Sequence, residues 1–264
     1  MTSPRKIYII ANWKMNFTPG ESSLYLHRLS NRIQPSRNVQ VVLAPSTVAL
    51  QPLSLQINRR QFKLAAQNFY WRDYGAYTGE TSVSQIRGFV DYAIVGHSER
   101  RYVFNETEED IAQKVAAAIR NGLTPVLCIG ETALERKDGE TASAIYNQLT
   151  NGLHEVSKED ISKVIIAYEP VWAISSNKNA RPARPADIAE AELIIRQHIA
   201  KLYNKQIAED IAILYGGSVN SDTAGGYLDI PGIDGLLIGG ASLIADSFCA
   251  IVETAKGKIN ERQY

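Results

Sequence analysis

The chain has little cysteine: two residues, Cys128 and Cys249, far apart and in no CxxC pair. That excludes a disulfide framework and a cysteine-based zinc site, and no other metal site is expected. It has no net charge, with 28 Lys+Arg against 28 Asp+Glu. Nothing therefore favours a polyanion such as nucleic acid, and an anionic ligand would need a local site. It has no long apolar run. Ile7 to Ala11, behind Arg5 and Lys6, is too short for the core of a signal peptide, and no later stretch approaches membrane-spanning length. No membrane association is expected, and the cytoplasm is the expected compartment. No Ser/Gly-rich linker or shift of composition divides the chain, so residues 1–264 are read as one domain.

What is present is a sequence 45% hydrophobic and 21% charged, ordinary for a globular protein that can bury a large core. Eight short apolar runs are separated mostly by helical patterns: Ile7–Ala11, Val39–Ala44, Phe62–Ala66, Tyr92–Val95, Pro125–Ile129, Lys163–Ala167, Asp210–Leu214 and Gly235–Ile238. Continuous β-branched runs of this length suit strands buried on both faces of a parallel sheet. Helix signals lie between them. Thr18-Pro19-Gly20-Glu21 reads as a capping box with proline at the first helical position. Asn121-Gly122 stops a helix that Thr107 opens, and Pro185 starts a long helix through about Tyr203. Pro52 interrupts the helix before the third strand, and Val83 to Arg87 is barely a turn. Eight β/α units in one chain of 264 residues predict an α/β protein, a single closed (β/α)₈ barrel. A doubly wound sheet is the runner-up, disfavoured because no GxGxxG follows the first strand.

In such a barrel the carboxyl ends of the strands carry the active site. Asn12 and Lys14 follow the first strand, His97 and Glu99 the fourth, and Glu169 the sixth. Gly216-Gly217-Ser218 and Gly239-Gly240 follow the seventh and eighth. Pro170 forces the chain out of the sheet directly after Glu169, between Tyr168 and Trp172. A carboxylate walled by such residues is partly desolvated, which makes a better base. Glycines let backbone N–H groups approach an anion, and this fold holds phosphate after strands seven and eight. Each residue has an ordinary alternative. Glu169 could be a strand-end acid in water, Lys14 a surface lysine, and His97 a histidine bonded to backbone. The glycines could be tight turns, Glu99 a partner of Arg100 or Arg101, and Cys128 a small core residue. These alternatives give no reason for polar and Gly-Gly residues to collect at carboxyl ends.

The motifs Asn12-Trp13-Lys14-Met15-Asn16, Gly75 to Glu80, Gly96-His97-Ser98-Glu99-Arg100-Arg101, Cys128 to Glu131, Ala167 to Ile174, Tyr215 to Val219 and Gly239 to Leu243 together resemble the triosephosphate isomerase family. The resemblance covers essentially the whole chain. It implies a TIM barrel that interconverts dihydroxyacetone phosphate and D-glyceraldehyde 3-phosphate through an enediol(ate), in glycolysis and gluconeogenesis, with no cofactor. By the same resemblance Glu169 is the base, His97 the electrophile that polarises the carbonyl, Lys14 the cation that stabilises the enediolate, Asn12 a substrate-oxygen contact and Glu99 an acid working beside Lys14 and His97. A helix starting at Ser98-Glu99 would disfavour an imidazolium at His97. The phosphate would be held by N–H groups of Ser175, Ser218, Gly239 and Gly240. Thr78, at the tip of the long Tyr70–Ser82 loop, resembles the residue that enters a neighbouring subunit near Asn12 and Lys14, which implies a homodimer.

The chain departs from the family in the lid after Glu169. The family's usual tip is Ala-Ile-Gly-Thr-Gly, where this chain has Ala173-Ile174-Ser175-Ser176-Asn177. The usual hinge Lys-Thr-Ala is Lys178-Asn179-Ala180, and about three extra residues appear within Arg181 to Pro185. Asn177 is the best non-glycine substitute for a left-handed conformation. The expectation is a retained reaction with altered lid kinetics. Two competing readings are a sugar-phosphate-binding barrel without catalysis, which only the lid favours, and a barrel enzyme acting on an indole or histidine precursor. The joint presence of Asn12, Lys14, His97 and Glu169 disfavours both.

Overall fold

The computed structural model describes residues 5–174 and 181–261. Eight parallel strands close a barrel in sequence order: β1 (Ile7–Asn12), β2 (Val39–Ala44), β3 (Lys63–Ala66), β4 (Tyr92–Val95), β5 (Thr124–Ile129), β6 (Ile165–Tyr168), β7 (Ala212–Tyr215) and β8 (Gly235–Ile238). β8 returns to β1, with Tyr8 paired to Gly235 and Ala11 to Ile238, so no edge is left open.

The strands bury both faces, which is why their sequences are unbroken apolar runs. One face fills the barrel interior with Ile10, Val42, Ile94, Val126, Ile165 and Leu237 among others. The other meets the surrounding helices through residues such as Ile9, Leu43, Val95 and Ile213. Each fully buried aliphatic side chain contributes about 1.5–3 kcal/mol relative to exposure, so this double layer dominates stability.

Local signals placed most helices. Thr18 caps Pro19–Ser30, accepting from the Glu21 N–H while Glu21 accepts from the Thr18 N–H. Thr107 and Asp110 do the same for Glu108–Arg120. Pro185 opens Pro185–Leu202. Three expectations are corrected. Pro52 lies inside Thr47–Gln56 without ending it, because the missing N–H removes only one bond and the helix buries Ala49, Leu50 and Leu53 against the barrel. The expected short turn is present as Val83–Ile86, four residues opened by a Ser82–Gln85 capping box. Lys163 belongs to the 3₁₀ turn Ile161–Lys163 rather than to β6. Asp210 ends the helix Lys205–Asp210 rather than starting β7.

Candidate active site

Glu169 directly follows β6, and its N–H still donates to the Ile129 carbonyl at 2.7 Å, as a last rung toward β5. Its side chain is 3% exposed, which rules out an acid in open water. One carboxylate oxygen lies 3.4 Å from His97 Nε2, and the other accepts the Ser98 N–H at 3.4 Å. Gly216, just past β7, leaves room for this side chain: a Cβ there would sit 2.7 Å from Glu169 Cγ.

His97 caps the helix Ser98–Tyr102. Its Nδ1 accepts the Glu99 N–H at 3.2 Å. An accepting Nδ1 carries no proton, so the ring is a neutral imidazole whose N–H, on Nε2, faces Glu169. Lys14 reaches the same place from β1. Its Nζ is 2.6 Å from Glu99 Oε1. Its backbone is left-handed, with φ 51°, a conformation costing a non-glycine residue roughly 1–2 kcal/mol. Two contacts hold it there: Asn12 Oδ1 accepts the Lys14 N–H at 3.0 Å, and Gln67 Nε2 donates to the Lys14 carbonyl at 2.9 Å. Gln67 also donates to the Ala44 carbonyl at 2.7 Å, so it ties β1 to β2 at the rim. Sequence reasoning passed over Gln67, although its place at the end of the third apolar run was the available signal.

Asn12, Lys14, His97, Glu169, Gly216 and Gly239 converge on one small cavity of about 20 Å³. Gly239 faces the Lys14 side chain, and Gly240 opens the 3₁₀ turn Gly240–Leu243. The Ser218 N–H donates to the Ala173 carbonyl at 2.9 Å, so it is engaged with the foot of the loop after β6. Ser175 to Ala180, which include the expected lid tip and hinge, lie outside the described residues. Thr78 is exposed on the loop between β3 and the Val83–Ile86 helix. That loop is built rather than loose: the Tyr70 N–H donates to the Thr81 carbonyl at 2.8 Å, and Ser84 Oγ to the Asp73 carbonyl at 2.6 Å.

Behind Glu169 lies a second group that sequence reasoning quoted only as part of a motif. Glu131 is fully buried. It accepts from Tyr168 Oη at 3.0 Å, from Trp172 Nε1 at 2.8 Å and from Arg136 Nη1 at 3.4 Å. The residues on both sides of Glu169 and Pro170 are thereby anchored to one carboxylate. Arg136 covers the Trp172 ring at 4.4 Å and also donates to Asp187 at 2.7 Å. Cys128 is buried beneath Glu169. Burial first, then the Glu169 carboxylate, push its thiol well above the ordinary range, so it acts as core and not as a nucleophile.

A barrel whose carboxyl rim presents a buried carboxylate, a neutral imidazole N–H and an ammonium around one small cavity is built to move a proton on a carbon next to a carbonyl. The comparisons with known proteins narrow that class. The family model for triosephosphate isomerase matches residues 7–255. Triosephosphate isomerase of Caldanaerobacter subterraneus subsp. tengcongensis is 42% identical over 94% of this chain and 99% of its own length. The Streptococcus mutans enzyme of that name is 40% identical over 96% of this chain and 99% of its own, and that of Lactococcus lactis subsp. lactis is 42% identical over the same shares. The chain belongs to the triosephosphate isomerase family.

Proposed function

We infer that the chain is a triose-phosphate isomerase, interconverting dihydroxyacetone phosphate and D-glyceraldehyde 3-phosphate. The observation that carries this is the meeting of Glu169, His97 and Lys14 across one cavity from three different strand ends. The Glu169 carboxylate takes a proton from the carbon next to the substrate carbonyl. The bonding electrons move toward that carbonyl and an enediolate forms. The Nε2–H of neutral His97 donates to the oxygen that gains charge, and the same ring passes a proton between the two oxygens. The Lys14 ammonium, oriented by Glu99, stabilises the enediolate, and Asn12 holds both the Lys14 backbone and a substrate oxygen. The acid formed on Glu169 then delivers the proton to the neighbouring carbon.

The phosphate is held by N–H groups of Ser218, Gly239 and Gly240, with Ser175 contributing from the loop after β6. For Ser218 this requires exchanging its bond to Ala173 for one to phosphate. Water must be kept from the enediolate phosphate, since an exposed intermediate can expel its phosphate. The chain acts as one catalytic domain over residues 1–264, needs no cofactor, and serves glycolysis and gluconeogenesis in the cytoplasm. It works as a homodimer in which Thr78 reaches the partner near Asn12 and Lys14. Met15, Tyr74 and Tyr77, exposed apolar residues on or beside these loops, support that reading.

The test is steady-state isomerisation of glyceraldehyde 3-phosphate with free phosphate followed in parallel. Turnover should fall by about 10²–10⁴-fold in Glu169→Gln, the usual contribution of a positioned base. Equal turnover in that variant sinks the assignment of the base. No turnover in folded wild type that still binds a phosphorylated ligand turns the reading to a non-catalytic barrel. Sedimentation at working concentration that gives a monomer with full activity refutes the dimer.

A further inference from the structure

Gln148 lies on the inner face of the helix Thr141–Gly152, whose other buried residues are Ala144, Ile145, Leu149 and Gly152. It is 7% exposed. A glutamine on an otherwise apolar face gives up its water and must find partners in the protein. It finds both on one residue. The Gly130 N–H donates to Gln148 Oε1 at 2.7 Å, and Gln148 Nε2 donates to the Gly130 carbonyl at 3.2 Å. Gly152, one turn further on, lets the helix come this close, since a Cβ there would lie 2.9 Å from the Leu127 side chain.

The end of β5 explains why the peptide groups of Gly130 need such a partner. Beyond the last paired strand residues, the Glu169 N–H donates to the Ile129 carbonyl at 2.7 Å and the Val171 N–H to the Glu131 carbonyl at 3.0 Å. Ile129 and Glu131 thus face β6, and the peptide groups of Gly130, between them, face the other way. On that side β4 has already ended at Val95, opposite Leu127. Gln148 supplies from a helix the amide that a neighbouring strand would otherwise present. Gly130 is in turn pressed against the backbone of the base. A Cβ at 130 would lie 2.1 Å from the Glu169 carbonyl oxygen, 2.5 Å from its carbonyl carbon and 3.0 Å from the Pro170 nitrogen. With no gap between these backbones and a hydrogen bond on either side of Gly130, a movement of Gly130 carries Glu169 with it.

We propose that Gln148 is a positioning residue for the isomerase: its two hydrogen bonds fix Gly130, and Gly130 fixes the backbone from which the Glu169 carboxylate reaches the substrate. The role rests on the reading of Glu169 as the base. Gln148 touches no reacting atom and acts through Gly130. Its part differs from that of Glu131, which holds the Tyr168 and Trp172 side chains on either side of the base, whereas Gln148 holds the main chain that faces it. Loss of both bonds leaves a buried N–H and a buried carbonyl at Gly130 without partners. The relief open to them is a shift of residues 129–131, and the carboxylate shifts with that segment.

The test compares wild type, Gln148→Met and Gln148→Glu in steady-state isomerisation of glyceraldehyde 3-phosphate, at a temperature where thermal melts show each protein folded. Gln148→Met keeps the length of the side chain and removes both bonds. Its kcat should fall about tenfold, less than the roughly 10²-fold cost of a full ångström at a reacting group. Its KM, and its inhibition constant for inorganic phosphate, should stay within about twofold of wild type, the mark of an interaction felt in the transition state. Gln148→Glu, at a pH of about 8 where a carboxyl is ionised, keeps an acceptor for the Gly130 N–H but sets an oxygen against the Gly130 carbonyl. Its kcat should fall about threefold. A residue that only supports folding would lower both melting temperatures and leave kcat of the folded enzyme unchanged. Folded Gln148→Met with kcat within about twofold of wild type, or with KM and phosphate inhibition weakened as strongly as kcat falls, overturns the proposal. If Gln148→Met does not fold, Gln148→Glu decides: a lowered kcat with unchanged KM supports the role, and an unchanged kcat refutes it. Wild type without turnover removes the isomerase reading and this role with it. Wild-type turnover with unchanged kcat in the folded variants removes the role of Gln148 alone.

Discussion

Gly216→Ala isolates the placement of the base from its chemistry. The added Cβ would lie 2.7 Å from Glu169 Cγ, 3.2 Å from Oε1 and 3.4 Å from Cδ. Relaxed carbon contacts need about 3.5 Å, so the carboxylate must retreat by roughly 0.8 Å. It cannot do so while keeping its present contacts, because His97 Nε2 and the Ser98 N–H each lie 3.4 Å from one oxygen. A displacement of about 1 Å costs on the order of 10²-fold in rate, equivalent to about 2.7 kcal/mol of barrel-side positioning lost from the transition state. Gly216 is not a positive-φ residue, so alanine adds no backbone strain. The signature is therefore a fall in kcat with a modest change in KM and a melting temperature within a few degrees of wild type. Steady-state kinetics in both directions and a thermal melt give all three numbers. A kcat within threefold of wild type would show that the Glu169 position is not set by the space at residue 216, and would refute the argument.

Three further perturbations read the supporting structure. Glu131→Gln removes a buried carboxylate from three donors and should destabilise the chain by about 3 kcal/mol or more; a urea midpoint equal to wild type would contradict the anchoring role. Asp187 is held at about 2, below its ordinary 3.8, by the Arg184 hydrogen bonds first, with Arg136 adding to them. Its folded-state pKa is depressed, so its stabilisation is present above about pH 4 and is lost as pH falls toward 2. Wild type should thus melt above Asp187→Asn near neutral pH, with the gap closing over that acid window; a gap independent of pH would refute the linkage. Gln67→Leu removes the donor that holds the left-handed Lys14 and should lower kcat by about tenfold, through the cation rather than the base. Unchanged turnover would show that the remaining contacts, Asn12 among them, suffice to hold that conformation.

The sequence by itself determined the strands, most of the helices and the residues of the rim. Eight apolar runs became eight strands because burial on both faces demands continuous hydrophobicity, a signal carried within four to six residues. The Thr18 capping box and Pro185 were legible for the same reason, since their partners sit three residues away or less. The ends of elements were less legible. Lys163 and Asp210 flank apolar runs in the sequence, yet both belong to helical turns just before their strands, and no local pattern marks that change.

Only the tertiary structure decided how the rim works. Lys14 meets Glu99 across 85 positions, Ser98 meets Glu169 across 71, and Trp172 meets Glu131 across 41. Such pairs depend on which strand ends become neighbours, and nothing within a few residues encodes them. The burial of Glu169, the tautomer of His97, the support of Lys14 by Gln67, and the engagement of the Ser218 N–H by Ala173 all belong to this class. The sequence could place a base, an imidazole and a cation on one rim. Their orientations and separations came from closing the barrel, because burial and hydrogen bonding act through space between residues that the chain keeps far apart.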